Sequence, residues 1–377
     1  MEGTRIVPKI DVITLHAVKN YGSVLQTFAT QEKLRQLGCE VEVIDYWRAD
    51  NLDENLLSLH ANNHSFPLNI IARPILYPTV KRWETVFNGF LDRRISLTHK
   101  RYLSNDELLE DLPVADAYCT GSDQTWNSTL NGGILPAYYL DFVPNDKPKF
   151  SYAASIGNTS VDDSEASYLA DKLSRYDMIS VREQSAVDLL ASLGIKAQRV
   201  LDPTLAMGKE FWSDFADEKL VGEEGYVLLY RLHPDRVIDG FASEFARSRG
   251  LKLRRVCLRY DQVREGGSPV FIPEVEELVG LIKGASMVIT DSFHVTAFST
   301  MLERNFAVYC RGNFNTRIDN LLGICGLRDR WLSVESRDRL LLEDVVYDGV
   351  AEKLAAARCD TDKFLKKAVS LTGVGGR

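Results

Sequence analysis

Short apolar segments alternate with amphipathic helical segments along most of this chain, and this alternation limits it to an α/β fold. The first complete repeat has a strand-like run at 10–15, a helical pattern that ends at Gly38, and a second strand-like run at 41–44. A strand, a helix and a strand in this order form a right-handed parallel crossover. The sequence therefore predicts a doubly wound parallel sheet.

The same alternation returns in the second half of the chain. Its strand-like and helical segments are 226–230, 235–250, 252–258, 273–283 and 285–289. An acidic segment with several glycines, near 205–222, separates the two series. Two successive α/β series with a break between them predict two Rossmann-like domains that face each other across a cleft.

We place the first domain at 1–205, the second at 206–345 and a helical tail at 346–377. The first domain is predicted to carry an irregular insertion at about 48–110, because its prolines interrupt any regular pattern. A basic amphipathic helix is expected at 81–95 within it. Its role stays open between a lid, an element on the acceptor side and a dimer contact.

The densest group of reactive side chains lies between the strand that ends at Ile289 and the helix that follows it. Asp291, Ser292 and His294 bring a carboxylate, a hydroxyl and an imidazole into four consecutive positions. In parallel α/β sheets, ligands bind at such strand ends, and free N–H groups at the helix start favour an anion. A structural interpretation is also open: Ser292 caps the helix and His294 hydrogen-bonds a carbonyl.

Polar residues also follow two strands of the first domain. They are Asn20, Gly22, Asp123, Gln124 and Asn127. Their amides and carboxylate suit a hydroxylated ligand such as a sugar, and Trp126 offers an apolar face to a sugar ring. The alternatives are a tight turn with a Ser23 cap and a Gly-Ser-Asp turn with Trp126 in the core.

Arg182 follows the strand-like run at 177–181 in the same way. The planar fork of a guanidinium matches a carboxylate or a phosphate, so Arg182 is a candidate anion ligand. An ordinary ion pair with Glu183 or another acid explains the same residue equally well.

Composition excludes several functional classes. The 377 residues carry a formal net charge of −8, which argues against a general electrostatic grip on nucleic acid or an anionic membrane. No apolar run reaches the ~20 residues of a membrane span, and residues 1–9 lack a signal-peptide core, so the expected location is the cytoplasm. The six cysteines have no metal-type spacing, and there is no GxGxxG fingerprint. We therefore expect neither a metal nor a nicotinamide cofactor.

Six short blocks along the chain, taken together and in order, resemble the polysaccharide pyruvyl transferase family over nearly the whole length. They are 20–26 (NYGSVLQ), 121–127 (GSDQTWN), 151–157 (SYAASIG), 180–183 (SVRE), 201–204 (LDPT) and 290–294 (TDSFH) with Phe298-Ser299. The resemblance implies a GT-B-like fold and an enzyme that moves a pyruvyl group from phosphoenolpyruvate to two sugar hydroxyls, leaving a pyruvate ketal and phosphate.

The resemblance also implies roles for particular residues. His294 matches the catalytic histidine and Arg182 matches an arginine associated with the donor, with Asp291 and Ser292 beside them. Some members have Arg where Ser292 stands and many have Gly where Val295 stands. The first departure removes one candidate phosphate ligand. Its substitutes, which the sequence does not rank, are Arg231, Arg311 and Arg317.

The expected partners are phosphoenolpyruvate as donor and a saccharide acceptor. Asn20, Gly22, Asp123, Gln124 and Asn127 are assigned to the acceptor. Contact with a lipid-linked sugar at a membrane surface and a homo-oligomeric state are both left open. Two other functions compete with this one: a nucleotide-sugar glycosyltransferase of GT-B type, and a saccharide-binding protein without catalysis.

Overall fold

The computed structural model of the protein describes residues 7–62, 68–222, 224–310 and 316–373. The strands in these ranges are β1 Lys9–Ile13, β2 Glu40–Tyr46, β3 Leu97–Tyr102, β4 Ala117–Thr120, β5 Lys149–Ser151, β6 Ser180–Val181, β7 Gln198–Arg199, β8 Tyr226–Tyr230, β9 Lys252–Cys257, β10 Ser268–Phe271, β11 Met287–Thr290 and β12 Phe306–Val308.

The helices of the first half are α1 Tyr21–Gln36, α2 Asp53–Asn62, α3 Leu68–Trp83, α4 Gly89–Arg94, α5 Asn105–Glu110, α6 Ser128–Asn131, α7 Asp163–Leu173 and α8 Gln184–Ser192. Those of the second half are α9 Pro203–Met207, α10 Lys209–Phe215, α11 Arg236–Ser248, α12 Val275–Gly284, α13 Phe293–Met301, α14 Thr316–Cys325, α15 Arg337–Leu342 and α16 Val350–Ser370. A π-helical turn at Glu84–Asn88 joins α3 to α4.

The chain divides into two compact units. The first unit comprises Met1–Asn51, Phe90–Ala206 and Ala355–Arg377, and the second comprises Leu52–Gly89 and Met207–Leu354. Each unit holds a five-stranded parallel sheet, with the order β3-β2-β1-β4-β5 in the first and β10-β9-β8-β11-β12 in the second. In both sheets the first strand in the sequence, β1 or β8, lies in the centre. The next two strands extend the sheet on one side, and the last two extend it on the other side. The predicted pair of doubly wound α/β domains is confirmed.

Buried apolar strands explain why the two sheets form where they do. β8 has the sequence YVLLY and β11 has MVIT, and every residue of both strands is buried. Strands covered by helices on both faces need such continuous apolar runs. In the first unit, β1 is flanked by β2 and β4 and is likewise buried from Ile10 onward. The carboxyl ends of these central strands carry the candidate site residues.

The unit boundaries differ from the predicted ones in two places. Residues 52–89, assigned to the first domain from their position in the chain, cluster with the second unit. The indole of Trp83 donates to the carbonyl of Leu258, and Arg82 pairs with Glu274. The expected helix at 81–95 is therefore divided at the π-helical turn between the end of α3 and α4.

The tail is the second difference, because residues 355–377 cluster with the first unit. The Thr361 hydroxyl of α16 accepts from the Leu201 N–H, and Arg358 donates to the Leu205 carbonyl. The residues that these bonds join are 160 and 153 positions apart in the sequence. Local sequence patterns cannot predict contacts over such a separation. Among the described residues, no helix is long and apolar enough to cross a lipid bilayer.

Candidate active site

In the second unit, the site centres on the turn from β11 into α13. Ser292 is the N-cap of α13: its Oγ accepts from the Val295 N–H at 3.5 Å. His294 therefore stands in the first helical turn, partly exposed, with its ring 5.1 Å from that of Phe293. The capping interpretation of Ser292 holds, and it leaves His294 at the helix N-terminus, where an anion is favoured.

Asp291 holds a neighbouring loop in place. Its two carboxylate oxygens accept the backbone N–H groups of Leu232 at 2.7 Å and His233 at 3.0 Å. These residues follow β8, so the carboxylate ties the loop after β8 to the loop after β11. A carboxylate would also repel an anionic donor at close range. The observed contacts of Asp291 therefore position this loop, and its contact with the donor stays a prediction.

The structure distinguishes two of the three arginine candidates, Arg231 and Arg317. Arg231 is buried and pairs with Asp239 at 2.7 Å and with Glu265. Its charge is therefore already compensated inside the unit. Arg311 lies outside the described residues. Arg317, on α14, places its guanidinium 5.9 Å from the centre of the Phe293 ring. Of the two described arginines, Arg317 is the one that lies beside the first turn of α13.

In the first unit, the site is built around Asp123, which lies in the loop that follows β4. Its backbone has φ of +76°, a left-handed conformation that is uncommon outside glycine. Its carboxylate accepts from the Ser23 hydroxyl at 2.8 Å and from the Gln124 N–H at 2.9 Å. Strained backbone of this kind persists only where the surroundings fix it, and it concentrates at functional sites.

Arg182 supplies much of that fixation. Its guanidinium donates to Asp202 at 2.8 Å and lies 3.2 Å from Asp123, and its side chain is only 2% exposed. Glu183 lies 3.7 Å away as a third carboxylate. Burial alone would lower the pKa of Arg182, but the three carboxylates raise it above its usual value. The structure therefore shows Arg182 in ion pairs, as one of the two interpretations has it. Its role as a donor ligand stays a prediction.

The other predicted acceptor residues gather on the loops beside Asp123. The Asn20 side chain caps α1 by accepting the Gly22 N–H at 2.8 Å. The alternative with a Ser23 cap does not describe this turn, because Asn20 is the N-cap and the Ser23 hydroxyl donates to Asp123. Asn127 caps the short helix α6 and donates to the Gln124 side chain at 2.6 Å.

Trp126 is not available to a sugar. Its indole is fully buried, donates to the Tyr138 carbonyl at 2.9 Å and stacks on the Tyr139 ring. The core interpretation of Trp126 therefore holds. The remaining acceptor candidates are Gln124, Asn127 and Asn20, whose amide side chains lie on the loops that follow β4 and β1.

Sequence reasoning did not select the residues that hold this group together. Asp202 receives Arg182, the Ser122 hydroxyl and the Thr204 N–H, and Glu183 receives the backbone of Ile156 and Gly157. Two of the six sequence blocks contain them, 201–204 and 180–183. Their place in these blocks was the feature of the sequence that could have identified Asp202 and Glu183 as site residues.

A second buried network lies at the ends of β1 and β2. His16 Nε2 lies 3.1 Å from the Asp45 carboxylate, which also receives Arg101 at 3.0 Å and the indole of Trp47. Burial alone would raise the pKa of Asp45, but these hydrogen bonds hold it below its ordinary value. The carboxylate is therefore ionised at neutral pH and fixes Trp47.

No group of three or more metal-ligating side chains that could hold an ion occurs in the described ranges. The cysteine nearest to the α13 turn is Cys310, whose thiol lies 3.9 Å from the Asp291 carbonyl. Burial raises the pKa of this thiol to about 11, so it is protonated at neutral pH.

Solved structures with a similar fold are nucleotide-sugar enzymes. The UDP-N-acetylglucosamine 2-epimerase from Rickettsia bellii has 9% identity, covers 97% of both chains and gives a TM-score of 0.54. The UDP-GlcNAc 2-epimerase from Methanocaldococcus jannaschii, solved with UDP-GlcNAc and UDP, has 13% identity, covers 90% of this chain and 94% of its own, and gives 0.51. These likenesses establish the GT-B type of fold. The comparison with curated proteins gives no significant match.

The family model for "Polysaccharide pyruvyl transferase" matches residues 20–309. This range contains the Asp123 and Arg182 cluster of the first unit and the β11–α13 turn of the second. It exceeds half of the 377 residues. The chain belongs to the polysaccharide pyruvyl transferase family.

Proposed function

We propose that the protein transfers a pyruvyl group from phosphoenolpyruvate to two hydroxyls of one sugar in a polysaccharide or its lipid-linked precursor. The products are a cyclic pyruvate ketal and inorganic phosphate. The observation that carries this proposal is the contact of Arg317 and His294 with the same ring, Phe293, at the N-terminus of α13. A cation, a helix N-terminus and an acid–base group together suit a small dianion that must be protonated.

The reaction needs these residue types. One sugar hydroxyl adds to the central carbon of phosphoenolpyruvate while the methylene carbon gains a proton and becomes a methyl group. The carbon–oxygen bond to phosphate then breaks, and the second hydroxyl adds to the same carbon and releases its proton. The first hydroxyl proton balances the proton gained by the methylene carbon. The second leaves with phosphate or with a base.

In this scheme His294 supplies and removes protons, which typically accelerates a reaction ~10²–10⁴-fold. Arg317 holds the donor carboxylate or phosphate, and Ser292 fixes the helix start. Imidazolium is disfavoured at a helix N-terminus, and the bound dianion offsets that effect. Arg182 acts through Asp123 as a positioning residue.

The acceptor sugar is assigned to the first unit. Asp123 has a fixed carboxylate, and the amides of Gln124, Asn127 and Asn20 lie on adjoining loops. Carboxylate and amide groups of this kind orient the hydroxyls of a sugar by hydrogen bonds. Gly22, in the first turn of α1, has no side chain that would obstruct the sugar.

The first experiment is calorimetric titration of phosphoenolpyruvate into wild-type protein, Arg317→Gln and the control Arg35→Gln, whose arginine lies on the exposed side of α1. Saturable binding in the wild type and the control, weakened in Arg317→Gln, supports the donor site. A parallel titration with UDP-GlcNAc tests the nucleotide-sugar alternative. Tight binding of UDP-GlcNAc without binding of phosphoenolpyruvate would overturn the proposal.

The reaction itself is followed with ¹³C-labelled phosphoenolpyruvate and a panel of methyl glycosides and oligosaccharides. Ketal formation converts the labelled methylene carbon into a methyl carbon and releases one phosphate per sugar. Saccharide binding without phosphate release across the panel, despite bound phosphoenolpyruvate, would favour a non-catalytic saccharide-binding protein.

A further inference from the structure

The insertion that joins the second unit presents an unusual exposed helix face. From Arg73 onward, where the structure describes the side chains of α3, the positions turned away from the unit are Arg73, Pro74, Ile75, Tyr77, Pro78 and Lys81. We refer to them as the α3 ridge. The opposite arc, with Leu76, Val80 and Trp83, is buried. Ile75 is 53% exposed and Tyr77 is 52% exposed.

A solvated helix face is ordinarily polar, with charges of both signs. The α3 ridge departs from this in two ways: four of its six residues are apolar or aromatic, and none is acidic. The whole of α3, LNIIARPILYPTVKRW, contains no Asp or Glu. This is unexpected in a chain with 53 acidic residues and a net charge of −8.

The combination of side chains matches the interface of a lipid bilayer. Tyrosine rings prefer the headgroup level, where an apolar body and a polar tip are both satisfied. Lysine and arginine extend their charged ends to anionic headgroups along apolar stems. The Lys81 ammonium lies 5.9 Å from the Tyr77 ring centre, so the two share one side of the helix.

We propose that the α3 ridge docks the protein onto the headgroup region of an anionic lipid bilayer. Charge complementarity favours this occupant over a second copy of the chain, because a symmetric contact would join two ridges that each carry the basic residues Arg73 and Lys81 and no acidic residue. The only acidic partner of the ridge in the described residues is Glu84, which pairs with Lys81 at 2.5 Å. This inference does not depend on the transfer reaction.

The test is co-sedimentation of the full-length protein with vesicles of phosphatidylcholine, with and without phosphatidylglycerol. We expect sedimentation with the anionic vesicles only, and its loss at high salt. Each basic side chain near such a surface strengthens binding about fivefold. The double variant Arg73→Gln with Lys81→Gln is therefore expected to bind at least about tenfold more weakly. Ile75→Ser with Tyr77→Ser is expected to weaken binding as well.

Matched controls come from exposed positions elsewhere in the second unit. Val334→Ser with Leu342→Ser removes two exposed apolar residues, and Lys219→Gln with Lys252→Gln removes two exposed charges. Both controls are expected to bind as the wild type does, and thermal melting verifies that all variants are folded. Absence of binding to anionic vesicles, or equal losses in ridge and control variants, overturns the proposal. Self-association abolished by the ridge variants also overturns it, because the ridge is then a protein interface.

Discussion

The guanidinium of Arg182 lies 3.2 Å from the carboxylate of Asp123, whose backbone is held at φ of +76°. The ion pair and the strained backbone depend on each other. A buried arginine with three carboxylates around it fixes one of them in a conformation that an aspartate otherwise rarely adopts. The loop after β4, which we propose binds the acceptor, is therefore held in place by a buried residue, since the Arg182 side chain is only 2% exposed.

Replacing Arg182 by Met should destabilise the first unit strongly. Removing one partner of a buried ion pair leaves uncompensated charge and typically costs about 3–5 kcal/mol. Urea denaturation measures the loss, with the exposed Arg35→Met as control. We also expect kcat to fall, because Asp123 loses the ion pair that holds its carboxylate in position. Unchanged stability with only a raised KM for phosphoenolpyruvate would instead show that Arg182 contacts the donor.

Arg317 and Arg231 should respond differently to the same substitution. Arg317→Gln is expected to weaken phosphoenolpyruvate binding by about 1.5–3 kcal/mol, the value of a charge-assisted hydrogen bond, with little change in stability. Arg231→Gln should mainly reduce stability, because Asp239 and Glu265 lose their buried partner. Calorimetry and urea denaturation on both variants separate the two effects. Weaker donor binding in Arg231→Gln together with lower stability in Arg317→Gln would show that Arg231, and not Arg317, contacts the donor.

His294→Gln should lower turnover about 10²–10⁴-fold, since glutamine keeps hydrogen-bonding capacity but cannot transfer protons. Donor binding, measured by calorimetry, should stay close to wild type. The exposed His233, at the end of the loop that Asp291 holds, provides the comparison variant His233→Gln. A variant at 294 that retains most of its turnover would exclude His294 as the acid–base group.

Asp11 should make the protein less stable as the pH rises. Burial raises the pKa of this carboxyl from 3.8 to about 7, with a further contribution from Glu42 and opposition from Lys9. Because the folded state holds this proton more tightly than the unfolded state, the free energy of unfolding falls between about pH 4 and pH 7. The full penalty, about 4 kcal/mol, is present above pH 7.

The variant Asp11→Asn removes this titration. Its free energy of unfolding at pH 8 should exceed that of wild type, and the difference should shrink toward pH 5. Urea denaturation at the two pH values measures it, with the exposed Asp171→Asn as control. A constant difference between variant and wild type at both pH values would contradict the shifted pKa.

Central strands and the helices beside them could be predicted from the sequence. A buried strand has a continuous apolar run, and a helix that packs on the sheet has apolar residues at helical spacing. β8 was predicted with the bounds it has, 226–230. The edge strands β3 and β10 were missed. LTHKRY and SPVF are short and mostly polar or partly exposed, since an edge strand is paired on one side only.

The candidate site could be predicted as a set of strand ends but not as a set of contacts. His294 and Asp123 stand where the pattern placed them. The partners of Arg182 could not be read from the sequence, since Asp123 and Asp202 lie 59 and 20 residues away from it. The same holds for one of the two acidic partners of Arg231, because Glu265 is 34 residues away from it.

The return of α16 to the first unit has a consequence for how the protein is made. A ribosome releases the strands of the first unit's sheet early, but Thr361 and Arg358 follow their partners Leu201 and Leu205 by 160 and 153 residues. The larger part of the second unit, Met207–Leu354, is synthesised in between. The first unit therefore cannot complete these hydrogen bonds until that part of the second unit has left the ribosome.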